Sequence, residues 1–210
     1  VTFTWGAYPG VRTMQVASRF MGIFFLMGLV SVAIADEPAK PASESLDSAA
    51  MAELMAKLGA PGKPHKHLQE MVGKYKTISN WIVPGEQEES VDEGTAEFKS
   101  ILGGRFVTQQ FKSTYNGEPM DGFGILGYDN AAQKFVGIWI DNMSTHILHT
   151  EGQLDEKTGV MTEKGTCSSP IGPMNFKMTT VPTEDGFVFT LSQVTGDTET
   201  EMGKIKYVKQ

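Results

Sequence analysis

Cysteine is almost absent from this chain of 210 residues, and arginine is nearly so. With Cys167 as the single thiol, no disulfide can form within the chain. Cys167 lies in "EKGTCSS", a strand-like stretch, and reads as a small buried hydrophobe. Beyond residue 35 the only arginine is Arg105, while fifteen lysines supply the other side-chain cations. There is no basic cluster, so the acidic chain would be repelled by a phosphate backbone, which argues against a nucleic-acid partner. Docking on an anionic lipid surface is disfavoured for the same reason. No apolar run reaches the ~20 residues that span a bilayer. A G-x-S-x-G elbow is missing, and Cys167 has no histidine beside it in sequence.

What is present begins with a targeting pattern. Arg12 and Arg19 precede "MGIFFLMGLVSVAIA", which ends in Ala33-Ile34-Ala35. A basic region, a short apolar run and an A-x-A end predict a cleaved secretory signal over residues 1–35, and hence a periplasmic or secreted protein. Met14 makes a more ordinary start than Val1, so 1–13 reads as an upstream extension. Setting Arg12 and Arg19 aside leaves 16 basic against 25 acidic residues, a net charge near −9. About 175 mature residues suit one domain.

Residues 36–45, "DEPAKPASES", have the composition of a linker. The stretch 46–60 places Leu46, Ala50, Leu54, Met55 and Leu58 at helical spacing, with Ser45 as a cap and Gly59 as a stop, and predicts one short amphipathic helix. "PGKPHKHL" reads as a turn with one tight helical turn. From Met71 the period changes to two. Strands are predicted near 71–83, 90–101, 105–115, 120–128, 134–141, 144–153, 159–167, 173–182, 186–194 and 200–209. Pro84-Gly85, Gly103-Gly104, Asn116-Gly117, Asp129-Asn130, Thr158-Gly159, Asp185-Gly186 and Gly196-Asp197 punctuate them. Ten such strands imply an all-β, up-and-down antiparallel meander over 61–210, and closing it into a barrel removes both edges.

Several stretches suggest chemistry. "GFGILG", Gly122 to Gly127, fits the dinucleotide fingerprint G-x-G-x-x-G, but that motif needs a helix directly after it and a further strand follows here. The glycines therefore read as bends or close backbone approaches in a curved sheet. His146 and His149 in "STHILHT" are three apart, which on a strand sends them to opposite faces, and no Cys or Glu-x-x-His set completes a metal site. In "KFVGIWIDNMST", alternation puts Phe135, Gly137, Trp139 and Asp141 on one face, with Val136, Ile138 and Ile140 on the other. Asp141 in a partly desolvated place wants a cationic partner. Arg105, whose planar fork meets both oxygens of a carboxylate, suits that role. Arg105 then has two readings: an internal tie to Asp141 or Asp129, or an anchor for an anionic ligand head group.

Taken together, "PGKPHKHLQEMVGKY", "W..PG", "LGGRF", "GFGILGYDN", "FVGIWIDNMST" and "EG..D" resemble the bacterial family called domain of unknown function 1579. The resemblance covers nearly all of the mature chain and implies a calycin-like barrel, shaped like lipocalins and fatty-acid-binding proteins, without supplying an activity. Gly73-Lys74-Tyr75 stands where such barrels often carry Gly-x-Trp, so Tyr75 is expected to pack the barrel end, with Trp81 sharing the task. Gly73, Gly103, Gly104 and Asp129 are expected to be structural.

These readings converge on an exported, non-enzymatic barrel with its helix at the rim or open end. It would hold a small apolar or amphiphilic molecule among Phe123, Tyr128, Phe135 and Trp139, oriented by Arg105 and Asp141, with no cofactor required. Two other readings use the same interior: a hydrolase or isomerase with Asp141 or Asp129 as base and Arg105 as electrostatic stabiliser, and a haem-binding barrel with His146 or His149 pointing inward. A purely structural envelope protein held by its helix is a further reading.

Overall fold

The computed structural model describes residues 47–82, 90–115 and 117–210. The predicted signal, the linker, the Ser45 cap, the Pro84-Gly85 turn and Asn116 lie outside the described residues. Among the described residues no helix is long and apolar enough to cross a membrane.

Ten antiparallel strands make a closed barrel in sequence order. They are β1 (Gly73–Trp81), β2 (Ser90–Ile101), β3 (Phe106–Tyr115), β4 (Glu118–Asp129) and β5 (Lys134–Asp141), followed by β6 (Leu148–Leu154), β7 (Met161–Ser169), β8 (Gly172–Pro182), β9 (Gly186–Thr195) and β10 (Thr198–Lys209). β1 and β10 join the ends of the meander, from Tyr75 opposite Lys209 to Trp81 opposite Gly203. Closure leaves no free edge for another chain to pair with.

The period-two pattern decides which side chains point inward. On β7, Met161, Glu163, Gly165 and Cys167 are buried, while Thr162, Lys164, Thr166 and Ser168 between them are exposed. The core concentrates near the first and last strands. Tyr75, Phe98, Phe187 and Tyr207 meet there mostly edge to face, with Phe187 stacked on Tyr207 at 4.4 Å between ring centres. Such pairs contribute roughly 0.5–1.5 kcal/mol beyond the area they bury. Cys167 is a free, buried thiol.

Two helices precede the sheet, where the sequence predicts one. In α1 (Ser48–Leu58) the cap is Asp47, whose Oδ1 accepts from the N–H groups of Ala49 and Ala50 at 2.8 Å each. None of its residues is buried, and Met51, Leu54 and Met55 are exposed. The expected docking of its apolar stripe at the rim is therefore not made. The closing element is α2 (Lys63–Glu70), in the stretch read as a turn. Pro64 opens it, where a missing N–H costs nothing. Leu68 is completely buried in the barrel core, and His65 is 4% exposed.

α2 thus covers the end of the barrel where β1 begins and β10 finishes. Tyr75 Oη donates to the Met71 carbonyl at 2.9 Å, Gln69 Nε2 to the Gly104 carbonyl at 3.2 Å, and Lys209 Nζ to the Glu70 carbonyl at 3.3 Å. Tyr75 is buried at this end, 2% exposed. Trp81 does not share that place. It ends β1 and packs on Tyr115 at the opposite end of the barrel.

Candidate functional site

Inside the barrel lies a cavity of about 310 Å³, lined from Met71 just after α2 to Trp81, Tyr115, Met143 and His146 at the other end. Its wall is largely aromatic and aliphatic: Phe111, Trp139, Phe176, Phe187, Met178 and Ile205. Polar groups interrupt it, among them Gln109, Tyr207, Tyr115, Thr150, Thr180, Glu163, Asp141 and His146, with the indole N–H of Trp81. Neither lysine nor arginine lines it among the described residues.

Two local sequence features shape this space. Gly122 and Gly124 on β4 face inward with no side chain, and Trp139 from β5 lies over their backbone. A Cβ on Gly122 would sit 2.1 Å from Trp139 Cζ2, and one on Gly124 would sit 3.3 Å from Cε3. The fingerprint-like glycines are thus a flat bed for an indole, and β4 runs on as a strand through Gly127. Further along, β5 keeps its pairing with β4 up to Gly122 opposite Asp141, but its pairing with β6 stops at Trp139 opposite Leu148. The departing loop brings Asp141, Met143 and His146 to the mouth of the cavity. Asp141 holds that loop. Its Oδ2 accepts from Trp139 Nε1 at 2.9 Å, and its Oδ1 accepts from Met143 N at 3.1 Å and Ser144 Oγ at 3.4 Å.

Glu163 is the buried acid among the described residues, only 7% exposed, and the sequence reading missed it. Burial pushes its carboxyl well up from the ordinary glutamate range, and a hydrogen bond from Thr150 Oγ1 to Oε1, 3.0 Å, offsets this in part. Gly152, its cross-strand partner on β6, leaves it room: a Cβ there would lie 2.6 Å from Glu163 Cγ. Deeper in the core, Tyr207 is held by a hydrogen bond from Gln109 Nε2 at 3.0 Å, and burial raises its hydroxyl's pKa far above the ordinary value.

The residues named from sequence scatter. Trp139 and Asp141 line the cavity. Phe123 does not, because alternation with inward Gly122 and Gly124 turns it outward, 38% exposed. Tyr128 and Phe135 pack on each other at 5.0 Å between ring centres, against His65 and His67 of α2, and so belong to the sealed end. Ile140, on the opposite face of β5 from Trp139, is exposed.

Arg105 is the largest correction. It is exposed, in the turn after Leu102–Gly104 and just before β3. β3 and β5 run the same way along the barrel wall. Arg105 precedes the first and Asp141 closes the second, so the two sit at opposite ends. The fork serves backbone instead: Nε donates to the Gly59 carbonyl at 2.9 Å and Nη1 to the Leu102 carbonyl at 3.2 Å. Asn130 Nδ2 joins it by donating to the Leu58 and Ala60 carbonyls at 2.7 and 2.9 Å. Together they hold the C-terminal end of α1 against two hairpin turns of the barrel. Gly103 and Gly104 make Arg105's turn possible, with φ of 66° and 83°.

Asp129 is exposed and shapes the neighbouring turn by accepting from Ala131 N and Ala132 N, which keeps its carboxyl below the usual range. The catalytic constellation of Arg105 with Asp141 or Asp129 is therefore not assembled. Of the two histidines considered for haem, His149 faces outward and is exposed, while His146 lines the cavity with Nε2 3.5 Å from Ser144 Oγ.

With this geometry in place, comparison with known proteins identifies the chain's relatives. A family described as protein of unknown function (DUF1579) matches residues 60–209. The chain belongs to that family. The DUF1579 match begins just after α1 and takes in α2 and the whole barrel. Among solved structures, Rv2717c from M. tuberculosis is similar at 12% sequence identity and a TM-score of 0.50, over 72% of this chain and 99% of that one. At that identity the likeness concerns the barrel fold alone. No curated protein matches this DUF1579 chain.

Proposed function

We propose that this DUF1579 protein is an exported carrier that binds one small, mostly apolar molecule inside its barrel. The cavity of about 310 Å³ carries the reading. It falls at the lower end of the ~300–1,000 Å³ range usual for small-molecule sites, and its apolar wall with a few polar groups is the pattern such sites show. A barrel built only for stability would fill this space, since close packing is the rule in protein interiors. α2 seals one end, so the ligand enters past the Asp141–Leu148 loop at the other. The N-terminal Arg12, Arg19 and the apolar run that follows support export.

The test is native mass spectrometry of the protein exported by a bacterial host, before and after solvent extraction. The expected result is a bound mass that extraction removes and that returns on incubation with the extract. Identical masses before and after, together with no uptake of any small apolar probe, would overturn the reading.

A further inference from the structure

A carboxyl buried in an apolar wall needs a reason. Glu163 accepts one hydrogen bond, from Thr150 Oγ1 to Oε1, and among the described residues no side chain is recorded as a partner for its second oxygen. Methionine or glutamine would fill the same volume without a charge to desolvate. Beyond the bond from Thr150 the fold gives the acid no lysine or arginine partner, because its neighbours Gly152 and Met178 offer no cation and no lysine or arginine lines the cavity among the described residues.

The sign of the site follows. A ligand with a carboxylate, sulfate or phosphate head would meet no lysine or arginine and only the His146 ring as a basic group, with Glu163 inside and Asp141 at the mouth. The oxygens of Asp141 already accept from Trp139, Met143 and Ser144, which leaves the second oxygen of Glu163 as the carboxylate oxygen at the wall without a side-chain donor, while Trp81 Nε1 is a buried donor there without an acceptor. Around it the faces and edges of Phe111, Trp139, Phe176 and Phe187 line the same space. Aromatic faces attract a positive charge, by ~0.5–1 kcal/mol each at exposed sites and more when water is excluded.

We propose that the molecule held in the barrel is a hydrophobic amine, its nitrogen bound to the second oxygen of Glu163 and its apolar part lying against the aromatic wall. This rests on the lumen-binding reading above and names the chemical class of its ligand. One proton is shared between carboxyl and amine, so nothing outside the pair is consumed. The same pairing makes the pocket selective, because an acid or phosphate of identical tail leaves two buried charges of one sign facing each other.

Octylamine, octanol and octanoate, titrated into the full-length protein and followed by tryptophan fluorescence and calorimetry, separate the possibilities. The amine is expected to bind about tenfold or more tighter than the carboxylate, with the alcohol between them. In Glu163→Gln the amine's advantage over the alcohol disappears while alcohol affinity stays the same. Equal binding of all three probes, tightest binding of octanoate, or an amine preference that survives Glu163→Gln would each overturn the amine assignment and leave the lumen-binding reading standing. If none of the three binds the wild-type protein, the lumen-binding reading falls with it. The wild-type series alone decides the preference should the variant fail to fold.

Discussion

Glu163 and Arg105 exchange the roles that their chemistry suggests. The always-charged guanidinium sits at the surface and donates to two carbonyls, work for which its fork is suited and lysine's point charge is not. The carboxyl, which water could have solvated, is inside. The consequence for Glu163 is measurable. In the unfolded chain it titrates near its ordinary 4.5, and in the folded protein higher. Between those two values the folded state holds the extra proton, so unfolding releases it and stability falls as pH rises. Glu163's favourable contribution is fully present below the unfolded value and is lost as pH climbs through the folded one. Glu163→Gln removes this term. Denaturant titrations at a series of pH values should show the wild type losing stability relative to the variant as pH rises above 4.5. Parallel pH profiles for the two proteins would mean that Glu163 is not buried as an acid.

At the level of elements, the pairing of β4 with β5 shows how alternation and composition combine. Gly122, Gly124 and Trp139 look unrelated in sequence, yet register sets Trp139 opposite Gly124, with Gly122 beside it. Gly122→Ala forces a methyl into the indole, where Cζ2 would be 2.1 Å away. Overpacking of this kind costs roughly 1–3 kcal/mol. The expected result is a lowered denaturation midpoint together with a shifted Trp139 emission, because the ring has to leave the wall and break its bond to Asp141. An unchanged spectrum would place Trp139 elsewhere. The strands themselves were legible because period two and the Gly, Asn and Asp turns agree along the chain. Inward direction was legible as well, and it gave Trp139 and Asp141. Height along a strand was not. Phe135 points inward but lies at the sealed end, a fact set by which loop α2 covers and not by any local pattern. Phe123 stands on the outward parity of β4, between inward Gly122 and Gly124. Glu163 was open to the same alternation, as the one acid on the face shared by Met161, Gly165 and Cys167.

For the whole molecule the decisive asymmetry is between its ends, and sequence concealed it by exchanging the apparent roles of the two helices. α1 has the apolar spacing but buries nothing; α2 is mostly lysine, histidine and proline, yet closes the barrel. The physical reason is that a plug needs only one or two inward residues, here Leu68 and His65, while its rim faces water. His65 is suited to the place because the fold disfavours its charged form. Burial lowers its pKa first, a backbone acceptor at Tyr128 works against that, and the charge of Arg105 lowers it further. The two helices should then differ sharply on perturbation. Leu68→Ala removes a completely buried side chain and is expected to cost about 2–5 kcal/mol. Replacing Met51, Leu54 and Met55 of α1 together by glutamine exposes nothing new, and should change stability by less than about 1 kcal/mol. Urea unfolding of both variants checks the contrast, with hydrogen exchange at the Tyr75 and Tyr207 amides reporting the sealed end. Leu68→Ala should raise exchange there, and the triple variant should not. If the triple variant proved as costly as Leu68→Ala, α1 would be an integral wall of the barrel, and closure could not be assigned to α2 alone.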